Sequence, residues 1–302
     1  VFSSGYFIDR GEVFSDDEIS SKFRSGKVKA ILIIESSFAS NLVRQGEAQI
    51  QIITDASDPN MANTVVNYLS GIIRSYAKEG VPISIKQGLI PEMRMVYNEQ
   101  LEGAYMFVPG TIALILMLIS ALLTSISVTR EKELGTMEVL LVSPLKPALI
   151  ITGKVIPYVF LAFANGIVIL LMSYFVFDVP VRGSLILLMA VLLLYITVAL
   201  SLGILFSTIA KTQQVAMFLS LFVLMLPTIL LSGFIFPIEN MPLPLQWISH
   251  IMPPRWFISI LKDIMLKGNG IAYIWDDCLI LSGMALVFLM ISIKKFKVRL
   301  ES

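Results

Sequence analysis

The sequence is poor in charged residues and nearly without cysteine. Of its 302 residues 15% are charged and 56% are hydrophobic, and the mean hydropathy is +0.81. Soluble domains carry about 25% charged residues, so this composition indicates a membrane protein. The single cysteine, Cys278, excludes an internal disulfide. A net charge of +1 and the lack of any basic tract argue against a nucleic-acid partner.

Motifs that carry chemistry are also missing. The stretch SGKVK at 25–29 lacks the spacing of a phosphate-binding loop, G-x-x-x-x-G-K-[ST]. His250, the only histidine, has no evident nucleophile or ligand partner. Asp55 and Asp58 in TDASDPN could suggest a metal loop, but Asp, Ser and Pro at such a place more often cap and turn the chain. We therefore predict no catalytic residue, no metal site and no cofactor bound by this chain.

The charge that is present is unevenly spread. Residues 1–102 hold 10 Lys/Arg and 13 Asp/Glu, whereas the other 200 residues hold 13 and 9. We predict an extracytoplasmic α/β domain over 1–102 and a transmembrane domain over 103–302. Within the first domain, 28–34 and 48–54 have the apolar or alternating pattern of strands. Helices are predicted to begin after Ser15, by a capping box, and at Pro59.

The transmembrane domain contains five stretches that are apolar enough to cross a bilayer, which takes about 20 residues. Four of them contain no Asp, Glu, Lys, Arg or His, which argues against a proton-driven pump. Polar groups such as Gln213 and Gln214 are expected to bond between helices. The predicted fold class is therefore an α-helical polytopic membrane protein with an external small α/β domain. The spans are expected at about 106–128, 150–177, 184–210, 213–236 and 277–293.

Lysine and arginine near the span ends predict the orientation, because they favour the cytoplasmic side. Nine of these basic residues lie on the side that holds 129–145 and the C-terminus, and four lie on the other side. Residues 129–145 and the C-terminus are thus expected in the cytoplasm, and 1–102 outside it. Five spans leave the termini on opposite sides, and the sequence begins at Val1 without an apolar stretch. We therefore expect a sixth span before Val1.

Residues 239–267 are apolar but do not resemble a span. Four prolines interrupt the first part, and proline breaks helices. From Trp256 onwards apolar side chains recur at helical spacing between charged ones, which is typical of an amphipathic helix at or within the outer leaflet. An ordinary extracellular loop helix is the alternative.

A charged segment, TREKELGTMEVLLVSP at 129–144, follows the first span. As a helix it has one apolar stripe, and Gly135-Thr136 predicts an elbow between two short helices. Such an element can lie in the lipid interface or insert into a groove on a partner protein. The residue pattern alone leaves both possibilities open.

The segment resembles the cytoplasmic motif of type-2 ABC exporter permeases, in which a span ends in R-E-x-E-x-G-T-x-E-x-L-x-x-[ST]-P. LLSGFIFPIENMP and MPPRWFISILKDIMLKG resemble the outer re-entrant region of that family, and the likeness covers nearly the whole chain. The resemblance implies two sets of site residues. The ATPase-coupling set is Arg130, Glu131, Glu133, Gly135, Thr136, Met137, Glu138, Leu140, Leu141, Ser143 and Pro144. The outer re-entrant or interfacial set is Gly233, Pro237, Pro253, Trp256 and Phe257.

The resemblance also implies a function and partners. The chain would be the permease subunit of an ATP-driven exporter in the bacterial inner membrane, moving a drug-like or lipid-like substrate outwards. Its partners would be two copies of an ABC ATPase that carry the ATP and Mg, a second permease copy or related permease, and membrane lipid. A periplasmic adaptor is left open. The alternative is a membrane-anchored sensor or assembly factor with a ligand-binding outer domain.

Overall fold

The computed structural model describes residues 5–44, 47–80, 88–136 and 147–298. The chain divides into two compact units, Val1–Met106 and Phe107–Ser302.

The first unit is built around a three-stranded sheet. The strands β1 (Ala30–Ile34), β2 (Glu47–Asp55) and β3 (Gly88–Val96) lie in that order. β1 pairs antiparallel with β2, and β2 pairs parallel with β3. The helix α3 (Pro59–Gly80) packs on the sheet, and alternate residues of β2 meet its apolar side. The buried core of this unit comprises Ile50, Ile52, Val65, Val66, Leu69 and Ile73.

A side-chain cap begins the first helix of this unit, as the sequence predicts. At α1 (Asp16–Arg24) the Ser15 hydroxyl accepts a hydrogen bond from the amide of Glu18. The Glu18 carboxylate accepts from the amide of Phe14, one residue earlier than in the standard capping box. A further short helix, α2 (Phe38–Arg44), lies between β1 and β2.

The TDASDPN loop uses its carboxylates for local bonding. Asp55 accepts from the amide and hydroxyl of Ser57, and Asp58 accepts from the first amides of α3. The capping interpretation is therefore confirmed. Within the part of the chain that the structure describes, no three His, Cys, Asp or Glu side chains are grouped to hold a metal.

The second unit is helical. Among the residues that the structure describes, five helices are long and apolar enough to cross a membrane, in agreement with the five predicted spans. Two short helices, α8 (Leu243–Ser249) and α9 (Pro253–Met265), follow the fourth of them. The five long helices are α4 (Ala104–Glu133), α5 (Pro147–Phe175), α6 (Leu185–Ile209), α7 (Gln213–Leu231) and α10 (Ile271–Val298).

The helix α6 lies at the centre of this unit and packs against α5, α7, α9 and α10. It also runs beside α4, where Gly203 allows the two backbones to approach. A β-carbon at Gly203 would lie 2.5 Å from the carbonyl oxygen of Ala121, so only glycine fits without a shift. Because Ala113 lies beside Tyr195 and Lys132 beside Ser207, α4 and α6 run in the same direction.

Two boundaries differ from the sequence interpretation. The second span was expected from about 150, but α5 already begins at Pro147. Proline suits a first helical turn because the amide it lacks would be unbonded there. The proline-rich stretch after α7 likewise includes α8, with Pro244 in its first turn.

Candidate functional site

The end of α4 holds the charged run predicted to be functional. Glu131 forms an ion pair with Lys154 of α5, and both side chains are partly buried. Arg130, the preceding residue, is exposed. The carboxylate of Glu131 is thus directed at a neighbouring span of the same chain.

The next two residues contact the turn between α6 and α7. The Lys132 ammonium donates a hydrogen bond to the carbonyl of Ser207, in the last turn of α6. The Glu133 carboxylate accepts two hydrogen bonds from Gln213, the first residue of α7, from its amide and its side-chain nitrogen, both at 3.0 Å. The expectation that Gln213 bonds between helices is therefore confirmed. Three consecutive residues bind three different spans.

The chain turns sharply after this run. The helix ends at Glu133, and Gly135 has a φ of 72°, in the left-handed region that disfavours side chains. The Thr136 hydroxyl donates back to the Glu131 carbonyl at 3.3 Å, and Leu134 is exposed. The elbow predicted at Gly135-Thr136 requires a change of chain direction, which this left-handed turn provides. The remaining predicted coupling residues lie outside the described residues: Met137, Glu138, Leu140, Leu141, Ser143 and Pro144.

The predicted outer residues lie at the opposite end of the helices. Gly233 has a φ of 77° and packs near Ile238, in the short 3-10 turn Ile238–Asn240 that follows Pro237. Beside it, the ring of Phe234 sits where a side chain on residue 110 of α4 would be. This tight turn returns the chain from α7 towards α4.

The helix α9 is anchored in the bundle by an aromatic stack. It begins at Pro253, and the ring of Phe257 lies parallel to that of Tyr195 on α6, with centroids 3.8 Å apart. The Tyr195 hydroxyl donates to the carbonyl of Ala113 on α4 at 2.9 Å. Both rings are fully buried, so this contact joins α4, α6 and α9 in one core.

The predicted amphipathic helix is present as α9, and its apolar side faces protein; its place at the outer leaflet stays a prediction. The apolar face is buried against α6 and α10, within the protein. Trp256 is only half-buried, and its indole nitrogen donates to the carbonyl of His250 at 3.0 Å. The periodicity identified the helix correctly, but periodicity alone does not distinguish a lipid-facing stripe from a protein-facing one.

Arg255 ties α9 to α8. It donates to the carbonyl of Gln246, at 3.3 Å, and to the hydroxyl of Ser249, in the last turn of α8. Its guanidinium also lies 5.0 Å from the ring centroid of Trp256, within cation–π range. Burial lowers the pKa of Arg255 from its ordinary value, and the carboxylates of Glu239 and Asp277 oppose that shift.

Arg182, which sequence analysis did not place in the site, holds the other end of α9. Its amide donates to the carbonyl of Met265 at 3.0 Å, and its guanidinium donates to that of Leu266 at 3.2 Å. Next to it, Gly183 lies against the backbone of Ile264, where a β-carbon would clash. Lys132 was not among the predicted site residues either, although its position inside the charged motif was a signal.

In the described residues, five apolar helices of membrane-spanning length, joined by polar contacts at one end and followed by two short helices at the other, have the architecture of a polytopic membrane protein. The chain belongs to the ABC-2 family of transporters, since the sequence model of the family described as "ABC-2 family transporter protein" matches residues 3–294.

Curated relatives agree with this membership. The probable multidrug ABC transporter permease YbhS of Escherichia coli K12 is 34% identical over 299 residues, covering 98% of this chain and 79% of the relative. The permease YbhR of the same strain is 36% identical over 254 residues, covering 82% and 68%. ABC transporter G family member 20 of Dictyostelium discoideum is 24% identical over 289 residues, covering 92% and 40%. The resemblance seen in the sequence is confirmed.

Proposed function

We propose that this chain is the membrane subunit of an ATP-driven exporter that moves a drug-like or lipid-like molecule outwards across the bacterial inner membrane. The observation that carries the proposal is the end of α4. There the charged run that opens the family motif is bound to three spans and leads directly into the turn at Gly135. Family membership and the names of the bacterial relatives support a permease over a membrane-anchored sensor.

In this proposal the segment 134–146 is the coupling segment, which docks in a cleft of a separate ABC ATPase. Gly135 and Thr136 belong to it among the described residues, and Arg130 lies just before it, at the end of α4. The motif residues from Met137 to Pro144 complete the segment in this proposal. The ATPase, in two copies, carries the ATP and Mg, and this chain contributes no nucleotide site or cofactor. Two permease copies, or two related permeases, complete the transporter.

The proposal includes an orientation. The end of the bundle with Lys132, Lys154 and Lys211 would face the cytoplasm, and residues 1–102 would be extracytoplasmic. Lysines near span ends favour that side of the membrane. The short helices α8 and α9 would then lie at the outer face, where a substrate leaves.

The test is reconstitution with the candidate ATPase. The tagged chain should co-purify with the ATPase, and inside-out vesicles containing both should accumulate a fluorescent amphipathic cation when ATP is added. A variant of the ATPase without its phosphate-loop lysine is the control for energisation. The chain alone should hydrolyse no ATP, because it has no phosphate-binding loop motif. ATP hydrolysis by the contaminant-free chain, or stable vesicles with the bound ATPase but no ATP-dependent accumulation, would refute the proposal.

A further inference from the structure

Lys132 and Glu133 are matched to the two helix ends that they contact. A helix C-terminus carries partial negative charge and unbonded carbonyls, and a helix N-terminus carries partial positive charge and unbonded amides. Lys132 meets the carbonyl of Ser207 near the C-terminus of α6, and Glu133 meets the amide of Gln213 at the N-terminus of α7. Adjacent residues of opposite charge thus hold the two sides of one turn.

We propose that Lys132 and Glu133 are positioning residues that clamp the end of α4 onto the α6–α7 turn, so that displacement of the coupling segment moves these three helices together. This inference rests on the proposed function, because it says how movement of the docked segment reaches the spans. It assigns Glu133 to a contact inside the permease, whereas the family resemblance places it in the surface that couples to the ATPase.

The surroundings support a single moving body. Above the clamp, α4 and α6 are in backbone contact at Ala121 and Gly203, so they cannot slide independently at that level. Beside the clamp, the Glu131–Lys154 pair attaches α5. Below it, Gly135 is the first residue past the end of α4 with a left-handed backbone. The clamp therefore lies between the packed spans and the turn that leads to the coupling segment.

A substitution alone would not separate this role from direct contact with the ATPase, so the test restores the clamp by other means. In a Cys278→Ala background, which removes the only native cysteine, Lys132→Met is combined with Glu133→Cys and Gln213→Cys. The two new thiols are then joined by a short bifunctional maleimide. Control variants are Lys132→Met with Glu133→Cys alone, and Lys295→Met, which removes an exposed lysine near the same ends of the helices.

Before cross-linking, the variant should retain the ATPase, but transport per ATP hydrolysed should fall about tenfold, because charge-assisted hydrogen bonds are among the stronger ones. After cross-linking, coupling should return to at least half of the wild-type value. The variant with a single cysteine should stay uncoupled, and Lys295→Met should behave as wild type.

Three results would overturn the clamp. One is wild-type coupling before cross-linking, and another is failure of the thiols to join. The third is efficient cross-linking without recovery, which would mean that the side chains act on the ATPase. If the wild-type complex itself shows no ATP-dependent transport, the proposed function fails instead.

Hydrogen exchange on the purified chain tests the clamp in that case, since it does not depend on transport. Lys132→Met with Glu133→Gln should speed amide exchange in the first turn of α7 and in the Ala210–Thr212 turn, and leave α9 unchanged. Equal exchange rates in the variant and the wild type at the α6–α7 turn would contradict the clamp.

Discussion

Single residues set the geometry at both ends of the bundle, and Gly135 shows this most directly. Its left-handed backbone costs a residue with a β-carbon about 1–2 kcal/mol, and asparagine less than others. We expect Gly135→Val to reduce ATPase retention and ATP-dependent transport, and Gly135→Asn to keep most of both. Co-purification with the tagged ATPase measures the first, and vesicle uptake the second.

Among the described residues, nothing lies within 4 Å of a β-carbon built at Gly135, so contacts with these residues do not complicate the comparison. The difference between the two variants is therefore expected to follow the left-handed backbone. Equal retention of the ATPase by Gly135→Val and the wild type would mean that the turn is not needed for docking.

The stack of Phe257 on Tyr195 should dominate the stability of the α9 region. Truncation of a buried phenylalanine costs about 3–5 kcal/mol, whereas loss of one hydrogen bond costs about 1 kcal/mol. Phe257→Ala should therefore lower the melting temperature of the purified chain clearly more than Tyr195→Phe, which removes only the bond to Ala113. Phe160→Ala is the matched control, since that ring is 71% exposed. A melting temperature for Phe257→Ala equal to that of the control would show that the stack does not hold α9.

At the scale of elements, the contact of α4 with α6 depends on one glycine. A β-carbon on residue 203 would meet the backbone of Ala121, which cannot rotate away as a side chain can. Gly203→Ala should therefore separate the helices, lower thermal stability and weaken coupling. Gly283→Ala, in α10, is the control because a β-carbon there meets nothing within 4 Å. If both variants have the melting temperature of the wild type, the close approach of α4 and α6 is not important to the fold.

Tryptophan fluorescence tests which side chains of the α8–α9 region and α10 face lipid. The sequence interpretation places Trp256 against lipid, whereas the structure partly buries it and leaves Trp247 75% and Trp275 52% exposed. In variants that keep one of the three tryptophans, brominated lipids should quench Trp247 and Trp275 more than Trp256. The strongest quenching at Trp256 would show that its ring faces lipid. A water-soluble quencher distinguishes exposure to lipid from exposure to water.

The sequence predicted the elements whose signal is local. Long uncharged runs identified the five spans, and Ser15 and Asp58 identified two helix starts. The strand β3 was not predicted, because it contains Pro91, Glu92 and Arg94, which are unusual in a strand. It is a strand because it pairs with β2, which lies about 40 residues earlier in the sequence.

The charged motif likewise identified the end of α4, but not what each charge contacts. Lys132 is 75 residues from Ser207 and Glu133 is 80 residues from Gln213, and nothing local shows that these pairs meet.

At the scale of the helical unit, α6 connects the two ends. Near the middle of α6 Tyr195 holds α9 and α4, and in its last turn the carbonyl of Ser207 accepts a hydrogen bond from Lys132. Between these contacts α6 is buried along most of its length. A displacement at the clamp thus has a continuous packed route to α9, which is how the proposed exporter would open its outer face.

The orientation of the chain in the membrane decides whether that route runs from the cytoplasm outwards, as proposed. Thiol labelling tests this orientation. Cysteines are introduced singly at Asp17, exposed in the first unit, and at Lys295, exposed near the end of α10, in a Cys278→Ala background. A membrane-impermeant maleimide is added to cells with a permeabilised outer membrane. Because basic residues favour the cytoplasmic side, Asp17→Cys should label in intact cells, and Lys295→Cys only after the inner membrane is opened. Denatured samples, in which both must label, control for burial. Labelling of Lys295→Cys but not Asp17→Cys in intact cells would invert the topology, placing the clamp on the side where no ATPase can dock.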